Sequence, residues 1–130
     1  MHKSRLAGFC IDCQTDDLDG AATFWSQALG YGVKSTQDPE SGGLYRTLDT
    51  SEDGLTVEVQ KVAHPSRVHL DIQSDDIEAE VARLEKLGAK RVAQIRTWWV
   101  MEAPTGQRFC VVRPQTADFA AKARTWFGFE

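Results

Sequence analysis

The stretch that decides the fold spans residues 67–88 and reads RVHLDIQSDDIEAEVARLEKLG. Its first part alternates apolar and polar side chains, which predicts a strand with one face turned toward a core. Asp75 and Asp76 follow, and carboxylates at this position accept hydrogen bonds from the first backbone N–H groups of a helix. Apolar residues then recur at spacings of three and four until Gly88, which predicts an amphipathic helix that ends on glycine.

A degraded copy of this layout spans residues 8–30 and reads GFCIDCQTDDLDGAATFWSQALG. Its strand has an apolar face that we expect to meet the helices, while Cys10 and Asp12 lie on the opposite face. Asp16 and Asp17 follow, and either could cap the matching helix, which ends at Gly30. The two copies predict that the chain is an internal duplication.

Further alternating segments predict the other strands of each copy, and turn-forming residues separate them. The predicted strands outside the two copies cover residues 31–37, 44–49, 55–61, 91–95, 97–102 and 108–113. The pattern is therefore β-α-β-β-β twice, which predicts an α+β fold. We expect one domain over residues 1–130, with modules at about 5–62 and 66–113 and a terminal helix at about 116–127.

The composition excludes several classes of function. The net charge of −4 offers no electrostatic basis for binding nucleic acid or an anionic membrane. The sequence has no apolar run long enough to span a bilayer, and its first residues do not form a signal peptide. An odd count of cysteines, namely Cys10, Cys13 and Cys110, favours reduced thiols and predicts a cytoplasmic protein.

The duplication also aligns polar residues between the two copies. When the helix caps are superimposed, Cys10 of the first strand matches His69 of the second copy. When the turn glycines Gly54 and Gly106 are superimposed instead, Glu58 and Cys110 match on the last strands. All four matched side chains are of types that bind metals or transfer protons.

The chain resembles the vicinal oxygen chelate superfamily, and within it the small glyoxalase-like proteins. The resemblance covers roughly residues 6–113, and three segments carry it: DDLDGAATFWSQALGY, RVHLDIQSDDIEAEVARLEKLGA and APTGQRFCVV. It implies two βαβββ modules whose curled sheet forms a cupped cavity for a small molecule, commonly completed by formation of a homodimer.

The resemblance also implies a metal site with ligands on the first and last strand of each half, usually histidine and glutamate. Carried over to this sequence, the ligands are Cys10, Glu58, His69 and Cys110, of which only Glu58 and His69 match the usual types. Two thiols, one imidazole and one carboxylate suit zinc better than magnesium or calcium, which prefer oxygen ligands. The site is thus expected to hold zinc or no metal.

His69 and Glu58 are the candidate catalytic residues, as ligands or as bases that remove a proton beside a carbonyl. The alternatives are a hydrogen-bonded histidine in a half-buried cavity and a solvated carboxylate. Packing is the alternative for the two matched thiols. The candidates for contact with a substrate are Tyr45, Arg46, Trp98 and Trp99, and the register of the strand decides which tryptophan faces the cavity.

Two functions of different classes remain open on the sequence. One is a small metal-dependent lyase, isomerase or ring-cleaving oxygenase, in which the metal polarises substrate oxygens. The other is a metal-free protein that binds and sequesters a drug or another aromatic ligand, as in the bleomycin-resistance branch of the superfamily. The sequence names no substrate.

Overall fold

The structure is a computed structural model that describes residues 1–34, 43–50 and 53–128. Its elements are β1 His2–Gln14, α1 Leu18–Leu29, β2 Tyr45–Leu48, β3 Thr56–Val62, β4 Arg67–Ser74, α2 Ile77–Lys86, β5 Lys90–Ile95, β6 Trp98–Glu102, β7 Arg108–Val112, α3 Phe119–Lys122 and β8 Arg124–Trp126. The chain divides into two compact units: a first unit, Gly8–His69, and a second unit, Met1–Ala7 with Leu70–Glu130. No helix within the described ranges is long and apolar enough to cross a membrane.

The first unit contains a sheet in which β3 pairs in parallel with β1 and antiparallel with β2. Ile11, Leu48, Val57 and Val59 form a buried cluster with Leu18 of α1. Because side chains alternate along a strand, the other face of this sheet points away from α1. The prediction that the apolar face of β1 meets the helix is confirmed.

The second unit repeats this plan with β4 parallel to β7, followed by antiparallel β6 and β5. Its core consists of Val81 from α2, Met101 from β6 and Val111 from β7. The predicted α+β fold with two βαβββ halves is therefore confirmed. Of the strand predicted at 31–37, Val33 forms an isolated bridge to Leu48, and residues 35–37 lie outside the described residues.

The two long helices begin as the sequence predicted. The Asp17 carboxylate accepts a hydrogen bond from the backbone N–H of Gly20 at 2.9 Å. The Asp76 carboxylate does the same for Ala79 at 3.1 Å. These bonds satisfy N–H groups that have no partner inside the helix, so the predicted capping role of both aspartates is confirmed.

The terminal helix predicted at 116–127 is wrong, because only Phe119–Lys122 is helical and β8 follows it. β8 pairs antiparallel with the residues from His2 to Ser4 of β1. The Trp126 indole N–H donates to Ser4 Oγ at 2.9 Å, and the Arg83 guanidinium lies 3.9 Å from the centre of the indole ring. Pairing and side-chain partners distant in sequence outweigh the local helical pattern.

A buried ionic network joins the start of β1 to α2 in the second unit. His2 Nε2 lies 2.8 Å from Glu80 Oε1, and both side chains are fully buried. Arg83 donates to both Glu80 oxygens, at 2.7 and 2.8 Å. Burial alone raises the pKa of Glu80, but hydrogen bonds from Arg83, His2 and Ser4 outweigh it and hold the pKa below its ordinary value.

Candidate functional site

The face of the first-unit sheet that points away from α1 carries polar side chains, and we call it the open face. Its members from the three strands are Cys10, Asp12, Tyr45, Thr47, Glu58 and Gln60. In the ladders, Cys10 lies opposite Glu58, and Gln60 lies opposite both Asp12 and Tyr45. Polar groups thus occur together on one side of a sheet whose other side is the hydrophobic core.

Asp12 of the open face forms a pair with His69 of β4. His69 Nδ1 lies 2.7 Å from Asp12 Oδ2, and the two side chains are 12% and 1% exposed. An ionised carboxylate only accepts hydrogen bonds, so Nδ1 carries the proton and donates it. The other ring nitrogen, Nε2, of the neutral imidazole therefore keeps its lone pair, which is the form that accepts a proton or binds a metal.

Asp12 has two further neighbours within the first unit. The Cys10 thiol lies 3.5 Å from Asp12 Oδ1 and 3.8 Å from Gln60 Oε1, within reach of both acceptors. The Gln60 amide in turn donates to the Tyr45 hydroxyl at 2.8 Å. A chain of polar contacts therefore runs across the open face from Tyr45 to His69.

The second neighbour of Asp12 is a cation. Arg67 Nε lies 3.6 Å from Asp12 Oδ2, which is an ionic contact but too long for a hydrogen bond. The Arg67 side chain is 45% exposed, whereas Asp12 is buried. Burial of the Asp12 charge is thus compensated by one hydrogen-bonded imidazole and one nearby guanidinium.

The donor set of the open face fits a metal in its chemistry. The ligand atoms of Cys10, Asp12 and His69 all lie within 4.8 Å of one another. Thiolate, carboxylate and imidazole are the ligand types that zinc takes, and three protein ligands leave a position for substrate. Glu58 lies beside Cys10 in the ladder but belongs to no such close group among the described residues.

The ladders correct the alignment of the two copies. Cys10 lies opposite Glu58 in the first unit, whereas Asp71 lies opposite Cys110 in the second. By register, the match of Cys10 with His69 and the match of Glu58 with Cys110 cannot both hold. When the helix caps are superimposed, Asp12 matches Asp71, and Gln60, which lies opposite Asp12, then matches Cys110 in place of Glu58. The two alternatives differ by a shift of two residues, which keeps side chains on the same face.

Of the predicted substrate contacts on β2, Tyr45 lies on the open face and Arg46 does not. Arg46 pairs with Val59, which belongs to the hydrophobic core. Its Nε donates to Asp19 of α1 at 2.9 Å. Arg46 is therefore an ion-pair partner of the helix, on the face of β2 opposite to Tyr45.

The two tryptophans of β6 lie on opposite faces of the second-unit sheet. The Trp99 indole donates to Glu78 of α2 at 3.0 Å, and the Arg91 guanidinium lies 4.9 Å from its ring centre. Trp99 also packs against the cluster around Val111, so it lies on the helix face. By alternation, Trp98 is the tryptophan on the face turned away from α2.

The sequence did not lead us to name Asp12 and Arg67 as candidate site residues. Side-chain alternation could have identified both residues, because each lies two positions from a candidate residue on the same strand and therefore on the same face. Asp12 follows Cys10 on β1, and Arg67 precedes His69 on β4. The signal was the alternation itself, extended from each candidate to its neighbours.

Comparison with known proteins identifies the fold. Residues 8–112 match the model of the family described as glyoxalase-like domain. No curated protein matches the sequence significantly.

Several solved structures are similar at low sequence identity, and such similarity shows the fold alone. The hypothetical protein BH1468 from Bacillus halodurans C-125 has a TM-score of 0.57 at 16% identity, covering 87% of this chain and 97% of that one. A methylmalonyl-CoA epimerase in complex with methylmalonyl-CoA and NH4+ has a TM-score of 0.51 at 16% identity, covering 86% and 99%. A structure named as an NAD-dependent benzaldehyde dehydrogenase from Legionella pneumophila has a TM-score of 0.55 at 11% identity, covering 82% and 99%.

Proposed function

The chain belongs to the glyoxalase-like domain family of the vicinal oxygen chelate superfamily, and we propose that its open face binds a small carbonyl compound and catalyses proton transfer on it. The observation that carries this proposal is the hydrogen bond of 2.7 Å between Asp12 and His69. A buried carboxylate that holds an imidazole by one nitrogen prepares the other nitrogen to act as a base.

The proposed step begins with a substrate C–H bond beside a carbonyl. The lone pair on His69 Nε2 takes this proton, and the electron pair of the C–H bond moves onto the carbonyl oxygen to form an enolate. The Asp12 carboxylate stabilises the imidazolium that results. Return of the proton to the same carbon or to its neighbour completes an epimerisation or an isomerisation.

A zinc-dependent version of this function is the second candidate, and the close group of Cys10, Asp12 and His69 favours it. These three side chains would hold the ion, which supplies Lewis acidity toward the substrate oxygen. In that version His69 is a ligand and does not act as the base. Glu58, on the same face beside Cys10, then takes the role of proton acceptor.

Hydrogen–deuterium exchange tests the proposal directly. The protein is incubated in D2O with a panel of neutral and acidic carbonyl compounds, and loss of each C–H signal is followed by proton NMR. We expect exchange in at least one compound, and His69→Gln should slow it about 100- to 10,000-fold. Arg46→Gln, on the helix face, is the matched control that retains the rate.

Two outcomes would contradict catalysis by His69. One is exchange that His69→Gln leaves unchanged. The other is binding of a ligand, seen as quenched tryptophan fluorescence, with no exchange in any compound. The second outcome would favour the metal-free binding protein instead.

A further inference from the structure

Arg67 lies two residues before His69 on β4, so both side chains emerge from the same face of that strand. We propose that Arg67 binds a carboxylate of the ligand, and therefore that the compound held on the open face is a small carboxylic acid that also contains a carbonyl group. This inference rests on the proposed function and specifies its substrate class.

The hydrogen-bonding state of Arg67 supports this assignment. The contact between Nε and Asp12 is ionic, and the Arg67 side chain makes no hydrogen bond to any residue that the structure describes. A guanidinium with unused donors in a planar fork matches a carboxylate in a bidentate arrangement.

The neighbouring charges give Arg67 a different role from that of Asp12. Asp12 is 1% exposed and already accepts a hydrogen bond from His69, so a ligand cannot displace it without leaving a buried charge. Arg67 is 45% exposed, and its side chain is a cationic guanidinium. The cation is thus the member of this group that faces an incoming ligand.

The spacing on β4 limits the size of the ligand. Residues two apart on a strand are separated by roughly 6.5 Å along it. A carboxylate on Arg67 and an acidic carbon at His69 Nε2 therefore belong to one short molecule, with only a few bonds between them. A 2-oxo acid with a C–H bond beside its ketone has this form.

Glu58 sets a further condition, because its carboxylate shares the open face beside Cys10. A second negative group on the ligand would approach this charge and be repelled. We therefore expect an acid with one carboxylate. Removal of the Glu58 charge should tighten the binding of that acid.

The test compares 2-oxobutanoate with its neutral methyl ester. Dissociation constants come from NMR titration of the wild type, Arg67→Gln, Arg67→Lys and Arg46→Gln. We expect the wild type to bind the acid at least about tenfold more tightly than the ester. Arg67→Gln should weaken acid binding about 10- to 100-fold and leave ester binding unchanged.

The other variants separate charge from geometry. Arg67→Lys should restore part of the affinity because it keeps the charge without the fork. Arg46→Gln should bind the acid as the wild type does. If Arg67→Gln does not fold, the comparison of acid and ester on the wild type still decides the question.

Three results would overturn the inference: equal binding of acid and ester, an Arg67→Gln variant that binds the acid normally, or no binding of either compound. These results leave the proposed function standing if a neutral carbonyl compound exchanges its proton in a manner that depends on His69. Failure of the proposed function is recognised separately, because the rate of hydrogen–deuterium exchange would then not depend on His69 for any compound of the panel.

Discussion

The carboxylate of Asp12 lies 2.7 Å from Nδ1 of His69, although the two residues are 57 positions apart in the sequence. Asp12 comes from the first strand of one repeat and His69 from the first strand of the other. The buried acid orients the imidazole, and the imidazole compensates the buried charge. The pair therefore depends on both partners, so a single substitution at either residue tests it.

Asp12→Asn should slow proton exchange on a carbonyl substrate by about 10- to 100-fold. The amide offers an N–H group as well as an oxygen, so it no longer selects one imidazole tautomer. Nitrogen NMR of the histidine ring reports the tautomer, and NMR in D2O reports the rate. A variant with normal exchange and an unchanged tautomer would contradict the orienting role.

Glu80→Gln should lower the free energy of unfolding by about 3 to 5 kcal/mol, because it removes one partner of a fully buried ionic network. Urea unfolding monitored by circular dichroism gives this value. Glu85→Gln is the matched control on the same helix. Its side chain is 41% exposed, so the loss should stay below about 1 kcal/mol. Equal losses of unfolding free energy in the two variants would contradict the claim that burial makes the Glu80 contacts more stabilising than those of Glu85.

The same network predicts how stability depends on pH. The folded-state pKa of Glu80 lies below its ordinary value of 4.5, so its stabilising contribution is present above pH 4.5 and is lost as the pH falls through the folded pKa. The difference in unfolding free energy between wild type and Glu80→Gln should therefore shrink from about pH 6 to about pH 3. A difference that is constant over this range would show that the Glu80 charge contributes nothing.

Added zinc should raise the free energy of unfolding of the wild type but not of Cys10→Ala, if these residues hold the ion. Binding to the folded state alone contributes about 2.7 kcal/mol at a hundredfold excess over the dissociation constant. Cys13→Ala is the control, because Cys13 faces the helix side and packs against the hydrophobic cluster. No rise in the wild type, measured by thermal unfolding, would exclude the zinc-dependent candidate.

Gly8→Ala should destabilise the protein by at least about 2 kcal/mol. A β-carbon at this position would overlap the carbonyl oxygen of Thr56, so β1 and β3 would have to separate. Gly32→Ala provides the comparison, since a β-carbon there meets no atom within 4 Å. Its free energy of unfolding should change by less than about 0.5 kcal/mol. Similar losses in both variants would contradict the importance of the close strand contact.

Much of the fold was predictable because its signals are local. Alternation along β1 and β3, the caps Asp17 and Asp76, and the glycines that end the helices each involve neighbours a few residues apart. The exception was the end of the chain, where a helical pattern covers a segment that forms β8. Ser4 and Arg83, the partners of Trp126 in β8, lie far away in the sequence, so no local pattern predicts these contacts.

The candidate site was predictable only in part. His69 and Cys10 do belong to one close group, but Asp12 completes it in place of the expected Glu58. Alternation placed Arg46 on one face of β2 and Tyr45 on the other without saying which face was open. The ion pair between Arg46 and Asp19 decides that question, and it forms only when α1 packs on the sheet.

The sequence by itself determined the duplication, the order of strands and helices, and the type of residue available on each face, because all of these follow from periodicity along the chain. The tertiary structure alone decided the register of β1 on β3 and of β4 on β7, the approach of Asp12 to His69, and the position of Arg67 beside them. The physical reason is that a shift of two residues preserves every face and every hydrophobic contact pattern while it changes which side chains meet.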